Sequence, residues 1–510
     1  MPLRAWDSRF GSLPGAPGLQ AIRVSREEWR PLAQDLLAAR FRLLALWASR
    51  GANSEAIIHA VFFGERGALL VSMPVTPEER YVGLEDLFPA ASRMQRAIAD
   101  LSGLHSTDED NRPWLRHASW PAGFRPLVDA EVPALAEPVA DTYAFVSVEG
   151  DGVHEIPVGP IHAGTIEPGH FRFSVVGEKV LRLEERLGYV HKGIERRFTE
   201  LPILEAHRLA ARVSGDSAVA FSWAYCQALE GMSGVQIPAR AAWLRALALE
   251  LERIANHLGD LGALGNDAGF AFGLAQFSRL KEDLLRATHD ALGARYLMGL
   301  IVPGGTRLDL SEGGADRLRS CVRTLTKQVS ELRAIYDDHE GVRDRFIGAG
   351  TVAPPLATRL GLIGLAGRAS GQALDLRVDL PCEPYTELSP VKVCHNEGDV
   401  AARVAVRFDE TLESCALVER ILATMPAGAH IEHVQAPAAG SLGIGLIEGW
   451  RGPVLMALEA GVDGSIRRCH PHDPSWQNWP VLEHAIIDNI VPDFPLINKS
   501  FNLAYSGHDL

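Results

Sequence analysis

Between residues 239 and 262, Leu244, Leu247, Leu251, Ile254, Leu258 and Leu261 recur at alternating spacings of three and four. That pattern lays one continuous apolar stripe along a helix, and a helix with such a stripe has to bury it against other helices. Further helical patterns run through residues 277–296, 313–336 and 410–425, with Pro303-Gly304-Gly305 as a breaker between two of them. A strand pair is expected around 171–183. After residue 429 the pattern turns to short apolar segments at 442–448 and 454–460, which predict a small sheet near the end of the chain.

A chain of 510 residues is too long for one ordinary core, since domains average roughly 150 residues. Residues 1–20, rich in Gly and Pro, read as a flexible arm. Residues 21–127 read as a small α+β domain: helical spacing over 29–50, two strands over 56–73 meeting near Gly64-Glu65-Arg66-Gly67, and a helix over 90–101. Residues 128–150, with Pro133 and Pro138, read as a linker. The fold class is therefore α+β, a small N-terminal domain followed by a mainly helical bundle with small peripheral sheets over 151–510.

Hydrophobic content of 47% with 22% charged residues fits a folded protein. No segment approaches the ~18 continuous apolar residues that cross a bilayer. Arg4, Asp7 and Arg9 break any apolar run at the N-terminus, so no secretory signal is expected and the compartment reads as cytoplasmic. A net charge of -14 without a basic run argues against nucleic acid as a partner. The six cysteines (Cys226, Cys321, Cys382, Cys394, Cys415 and Cys469) form no Cys-x-x-Cys pair. They read as reduced, largely buried thiols. Cys469-His470-Pro471-His472-Asp473 carries metal-ligand residue types, but they sit too close together, in a turn stiffened by proline, to converge on one ion. His257, on the striped helix, reads as a core histidine, and His191 and Glu195 as an ordinary i,i+4 contact.

Several ordered motifs then combine. They are Gly159-Pro160-Ile161-His162-Ala163-Gly164-Thr165-Ile166-Glu167-Pro168-Gly169-His170, Leu187-Gly188-Tyr189-Val190-His191-Lys192-Gly193-Ile194-Glu195, Glu250-Leu251-Glu252-Arg253-Ile254-Ala255-Asn256-His257-Leu258, Asp267-Ala268-Gly269 and Glu397-Gly398-Asp399. This set over roughly 150–510 resembles the large subunit of membrane-bound, energy-converting nickel-iron hydrogenases and the quinone-site large subunit of complex I. Asp100-Leu101-Ser102-Gly103-Leu104, Arg112-Pro113-Trp114-Leu115 and Trp120-Pro121 are similar to the small partner subunit of complex I, fused to the large one in the hydrogenase-4 and formate hydrogenlyase branch.

In hydrogenases of this kind two Cys-x-x-Cys pairs hold the metals. By resemblance those positions here are Ser214, Ser217, Ala504 and Gly507, within Arg212-Val213-Ser214-Gly215-Asp216-Ser217 and Asn502-Leu503-Ala504-Tyr505-Ser506-Gly507-His508-Asp509-Leu510. Nickel and iron need thiolates; hydroxyl, methyl and hydrogen do not replace them. The resemblance thus implies vestigial metal positions, no metal, no cofactor in this chain, and no C-terminal trimming. The tyrosine that complex I places near its quinone aligns with Gly215, so that hydroxyl is missing.

The resemblance further implies a proton-handling set of His162 or His170 with Asp267 as its carboxylate, and Glu167 as a relay carboxylate. It implies a 4Fe-4S cluster in a partner small subunit, membrane antiporter-like and anchor subunits as further partners, a quinone as candidate acceptor, and NAD binding only as a family-level label. The chain is expected as a peripheral subunit on the cytoplasmic face of the inner membrane. Two functions stay open: coupling of electron transfer to proton or ion translocation, or a structural scaffold with no redox site of its own.

Overall fold

Ser25 opens the first long helix. The Glu28 amide donates to its hydroxyl, and its own amide donates to the Glu28 carboxylate at 2.9 Å, so donors that the first turn leaves without partners are satisfied. The computed structural model describes residues 2–50, 55–121, 123–134 and 142–510. In its N-terminal unit the elements run β1 (Gly11–Ser12), β2 (Gln20–Arg23), α1 (Arg26–Ala38), β3 (Arg42–Arg50), β4 (Ala56–Gly64), β5 (Gly67–Val75) and α2 (Ala91–Ser102). The sheet order is β1-β2-β5-β4-β3, antiparallel except for the β2–β5 pair.

The helical spacing expected over 29–50 holds only as far as Ala38. Arg40 adopts a left-handed φ of 61°, and the chain re-emerges as β3. Leu43 to Ala48 is an uninterrupted apolar run that marks neither period by itself. It is apolar throughout because the strand faces two cores: Leu43, Leu46 and Ala48 join the main one, Leu44, Ala45 and Trp47 a second. The hairpin expected at 56–73 forms, with Gly64 opposite Gly67.

The described residues of the arm expected over 1–20 are mostly exposed but anchored at a few points. Leu3, Ala16 and Leu19 are buried, and Ala16 donates its amide to the Ile444 carbonyl at 2.7 Å while Ile444 donates to Pro14 at 3.1 Å. Gly15 makes the contact feasible: a Cβ there would lie 1.9 Å from the Ile444 carbonyl oxygen. Part of the expected linker, residues 135–141, lies outside the described residues.

The second unit opens with an antiparallel sheet of β6 (Val153–Val158), β7 (His170–Val176) and β8 (Lys179–Arg186), one strand more than the expected pair. Helices α3 (Ala218–Ser233), α4 (Ala239–Asp267), α5 (Ala271–Leu292), α6 (Gly314–Asp338) and α7 (Val400–Thr424) form the bundle. All six stripe residues of α4 are buried, and so are Arg245, Glu250, Arg253, His257 and Asp260 on its other sides, so α4 is the central helix. It packs against α5 and α7.

The C-terminal sheet consists of β9 (Leu442–Glu448), β10 (Pro453–Ala460) and β11 (Ile466–His472), followed by α8 (Ser475–Ala485), α9 (Phe494–Phe501) and α10 (Ser506–Asp509). Cys469 to His472 lie in β11, not in a turn, because the ladder to β10 pairs each of them with a partner strand residue. The fold class is α+β.

The two units share one apolar core. Arg93 on α2 reaches Glu185 at 3.0 Å and Glu483 at 2.6 Å, and the ring of Trp47 stacks on both His59 and His470. Gly15→Ala should lower stability by about 1–3 kcal/mol, because the methyl has to push β9 away. A denaturant titration of the full chain with no shift in midpoint would contradict this docking.

Candidate functional site

The connection between β6 and β7 is the long loop 159–169, and it lies on the C-terminal tail. The His162 imidazole Nε2 is 3.3 Å from the Tyr505 hydroxyl, and its ring meets the edge of Phe171. Burial alone lowers the His162 pKa. The Glu167 carboxylate accepts the Ser506 amide at 3.0 Å. His170, at the start of β7, is buried with Nδ1 3.3 Å from the Gly159 carbonyl, and its ring lies 5.2 Å from that of Phe145.

Asp267 ends α4, and the charge felt there is that of Lys499, which opposes the rise caused by burial. The contacts of His162 are with Tyr505 and Phe171. His191 precedes the helix Ile194–Thr199 and its Nδ1 is 2.8 Å from the Asp509 carbonyl oxygen. Glu195 points inward, accepting from Arg468 at 2.8 Å and meeting His470 Nδ1 at 2.6 Å. Burial raises its pKa, but Arg468 and His470 outweigh that and bring it down to about 2.

The segments 212–217 and 502–507 do meet, through Arg451. Its Nη1 donates to Asp216 Oδ1 at 2.8 Å, a second bond joins Nη2 to Asp216 Oδ2, and Nε donates to the Asn502 carbonyl at 2.5 Å. The Ser214 hydroxyl donates to the same carboxylate at 2.7 Å, and Ser217 lies 3.4 Å from it. Burial favours the neutral acid, yet Arg451 and the Ser214 hydroxyl overcome it and hold Asp216 below the usual carboxylate range. Ala504 donates its amide to Ser475 at 2.9 Å and accepts from Trp479 Nε1 at 3.2 Å. At Gly507 a Cβ would lie 2.8 Å from Asp473 Oδ2 and 3.1 Å from the Ala504 methyl. Gly215 is exposed, with open space where a side chain would start.

A nickel-iron centre does not fit these residues. The donor set is two hydroxyls, a methyl and a hydrogen, with the Asp216–Arg451 ion pair between the serines and Asp473 against Gly507. The guanidinium already satisfies the carboxylate that could have served as a ligand. No group of three or more His, Cys, Asp or Glu side chains among the described residues is arranged to hold a metal ion. The six thiols are unpaired; Cys226, Cys415 and Cys469 are buried as expected, while Cys394 is exposed.

Behind the serines, Glu252 accepts the amides of Val219 and Ala220 and thereby caps α3, which has no side-chain cap from Ser217. Burial pushes Glu252 up to about 8 against those two amide bonds. Beside the tail, a groove of about 1000 Å³ runs between the two units, lined by His117, Trp120, Phe124, Tyr189, His191 and Lys192. Trp120 stacks on His191 at 5.3 Å, and His117 and Tyr189 meet at 4.4 Å. Burial lowers the Lys192 pKa, countered by Glu167 and Asp509. Sequence reasoning missed Arg451, Glu252 and the Trp120 wall. Asp216 was visible inside its motif, but its partner lies far along the chain and leaves no local signal.

Known proteins are similar to this chain over most of its length. The family model for the respiratory-chain NADH dehydrogenase 49 kDa subunit matches residues 267–442. Formate hydrogenlyase subunit 5 of Escherichia coli K12 is 30% identical over 472 residues, covering 90% of this chain and 83% of the relative. Hydrogenase-4 component G of the same organism is 32% identical over 82% of this chain and 74% of its own length. An NADH-quinone oxidoreductase subunit of Bacteroides thetaiotaomicron is 26% identical over 82% of this chain and 83% of its own. A chain of the archaeal membrane-bound sulfane sulfur reductase complex has the same fold, with a TM-score of 0.66 at 23% identity over 70% of this chain and 99% of that one.

The protein is thus of the complex I 49 kDa class in which hydrogenase large subunits and quinone oxidoreductase subunits share one scaffold. Within that class it belongs to the family of the formate hydrogenlyase and hydrogenase-4 large subunits.

Arg451→Gln should cost about 1.5–3 kcal/mol, the range for a charge-assisted hydrogen bond. Because the folded Asp216 pKa is depressed, its stabilisation is present above the unfolded carboxyl pKa of about 4 and is lost as pH falls below it. Wild type should therefore lose more stability than Arg451→Gln on acidification; parallel pH curves would contradict the pairing.

Proposed function

We propose that this chain is a nickel-free subunit of a membrane-associated, energy-converting oxidoreductase complex, coupling electron transfer from a partner iron-sulfur subunit to proton or ion movement. What supports this reading is the donor set: Ser214, Ser217, Ala504 and Gly507 offer no thiolate, Asp216 is paired with Arg451, and a side chain at Gly507 would collide with Asp473. Electrons then have to come from a 4Fe-4S cluster in a partner small subunit, because this chain offers no cage for a cluster of its own among the described residues. Ile161, 85% exposed at the tip of the 159–169 loop, and the half-exposed Ile166 give that partner an apolar contact beside His162 and Glu167.

The groove beside Trp120 and His191 has the aromatic walls and polar groups that a quinone ring would need. The tyrosine hydroxyl missing at Gly215 would have to be replaced by His162 or Tyr505. We place the complex on the cytoplasmic face of the inner membrane, with this chain peripheral and with anchor and antiporter-like subunits beneath it. No helix among the described residues is long and apolar enough to cross a membrane.

Burial alone acts on the His162 pKa, with no carboxylate opposing it, and this supports a second reading, a scaffold joining an electron-input module to membrane subunits. His162→Gln and Glu167→Gln separate the two. With coupling, acceptor reduction by the intact complex falls by roughly 100-fold, the scale for loss of a general acid or base; unchanged turnover with intact assembly leaves the scaffold. Elemental analysis of the purified complex should find no stoichiometric nickel in this subunit, and finding it would overturn the nickel-free reading.

A further inference from the structure

The interior of the bundle holds more carboxylates than cations. Glu250 and Arg253 on α4, Arg368 on the helix Gly364–Arg368, Asp375 and Arg377 around the helix Leu376–Asp379, Glu410 on α7 and Glu448 at the end of β9 form one connected, buried cluster. Four carboxylates (Glu250, Asp375, Glu410 and Glu448) share three guanidinium groups (Arg253, Arg368 and Arg377), leaving one excess negative charge. Of the groups next in line, Arg407 is matched by Asp260, the buried Arg403 donates to Ser500 and to the Gly398 and Gly350 carbonyls, Tyr385 donates its hydroxyl to Glu250, and Glu252 adds another carboxylate. His257 touches Glu410 at 2.9 Å; burial lowers its pKa, and the Glu410 carboxylate opposes that.

The carboxylates are not equally served. Glu250 receives Arg253, Arg377, the Ser414 hydroxyl at 2.6 Å and the Tyr385 hydroxyl at 2.6 Å. Asp375 takes a fork from Arg377. Glu410 takes Arg368 Nε at 2.6 Å and the His257 imidazole. Glu448 is left with the second arm of the already shared Arg368 at 2.8 Å and one amide, that of Leu376, at 3.1 Å. An unbalanced charge in a dry interior costs several kcal/mol, and a carboxyl escapes that cost by taking up a proton.

We propose that Glu448 is a proton-storage site, its carboxyl holding one exchangeable proton inside the folded bundle. The step forms an O–H bond on a Glu448 carboxylate oxygen with a proton from solvent, and no electron moves. Burial pushes the Glu448 pKa up to about 7 against the pull of Arg368 and Arg253, and the neighbouring Asp375 carboxylate adds to the rise. The folded carboxyl therefore binds a proton that the unfolded chain releases between about pH 4.5 and about pH 7, so this group's contribution to stability falls across that window as pH rises. Helix α4, whose Arg253 donates to the Glu448 carbonyl, also carries Asn256, which donates to the Asp216 carbonyl at 2.8 Å. This inference goes beyond the redox role and stands whether the chain is a coupling subunit or a scaffold.

The test is infrared spectroscopy of the full-length chain labelled at glutamate, followed from about pH 5 to about pH 9. Wild type should show a protonated carboxyl C=O absorption that shifts in heavy water and loses one carboxyl's intensity in a step centred at about pH 7. Glu448→Gln should lack that step, while Glu252→Gln, which removes another glutamate that burial raises, should keep it. A step that persists in Glu448→Gln, or is absent from wild type, overturns the proposal. Should Glu448→Gln fail to fold, the wild-type and Glu252→Gln spectra decide, since the absence of the step from both still refutes it.

Discussion

A buried guanidinium without a carboxylate is too costly to keep, and Arg451 settles what the centre of this molecule can be. Its bonds to Asp216 and to the Asn502 carbonyl draw together a segment that begins one side of the bundle and a tail that ends the chain. Once both oxygens of Asp216 face Arg451, the space between Ser214 and Ser217 is occupied by a satisfied ion pair. The tail in turn holds the 159–169 loop through Ser506 and Tyr505, so the placement of His162 and Glu167 depends on the same pair.

The same physics recurs on a larger scale in the bundle. Helix α4 carries its leucine stripe on one side and Arg245, Glu250, Arg253 and His257 on others, all of them buried. A helix can be charged and central only when neighbouring elements bring the counter-ions. Glu230 does so for Arg245 and Arg377 for Glu250, while Glu410 hydrogen-bonds His257. These pairs fix the register of the helices around α4 more specifically than apolar packing alone, because a shifted helix would strand a charge.

Several expectations were legible in the residues and others were not. The 56–73 hairpin and the strands at 442–448 and 454–460 were readable because each is short, apolar and bounded by turn residues. The strand from Arg42 was hidden because a two-faced strand has no alternation to detect. The N-terminal arm looked loose because Gly and Pro are turn residues by composition, whereas here Gly15 is needed for a close approach to Ile444, a contact between opposite ends of the chain. The motif carrying His162 and Glu167 was visible; that the tail residues Tyr505 and Ser506 would meet it was not, since nothing local reports a contact between segments so far apart in the chain.

The sequence by itself determined the family, the α+β class and the absence of any Cys-x-x-Cys pair, because those depend on residue identity and order. Only the tertiary structure decided that Arg451 joins Asp216 to the tail, how counter-charges are shared among the buried carboxylates, and which histidine faces which acid. Charge balance in a low-dielectric interior is a property of groups brought together from distant segments, and no local pattern encodes it.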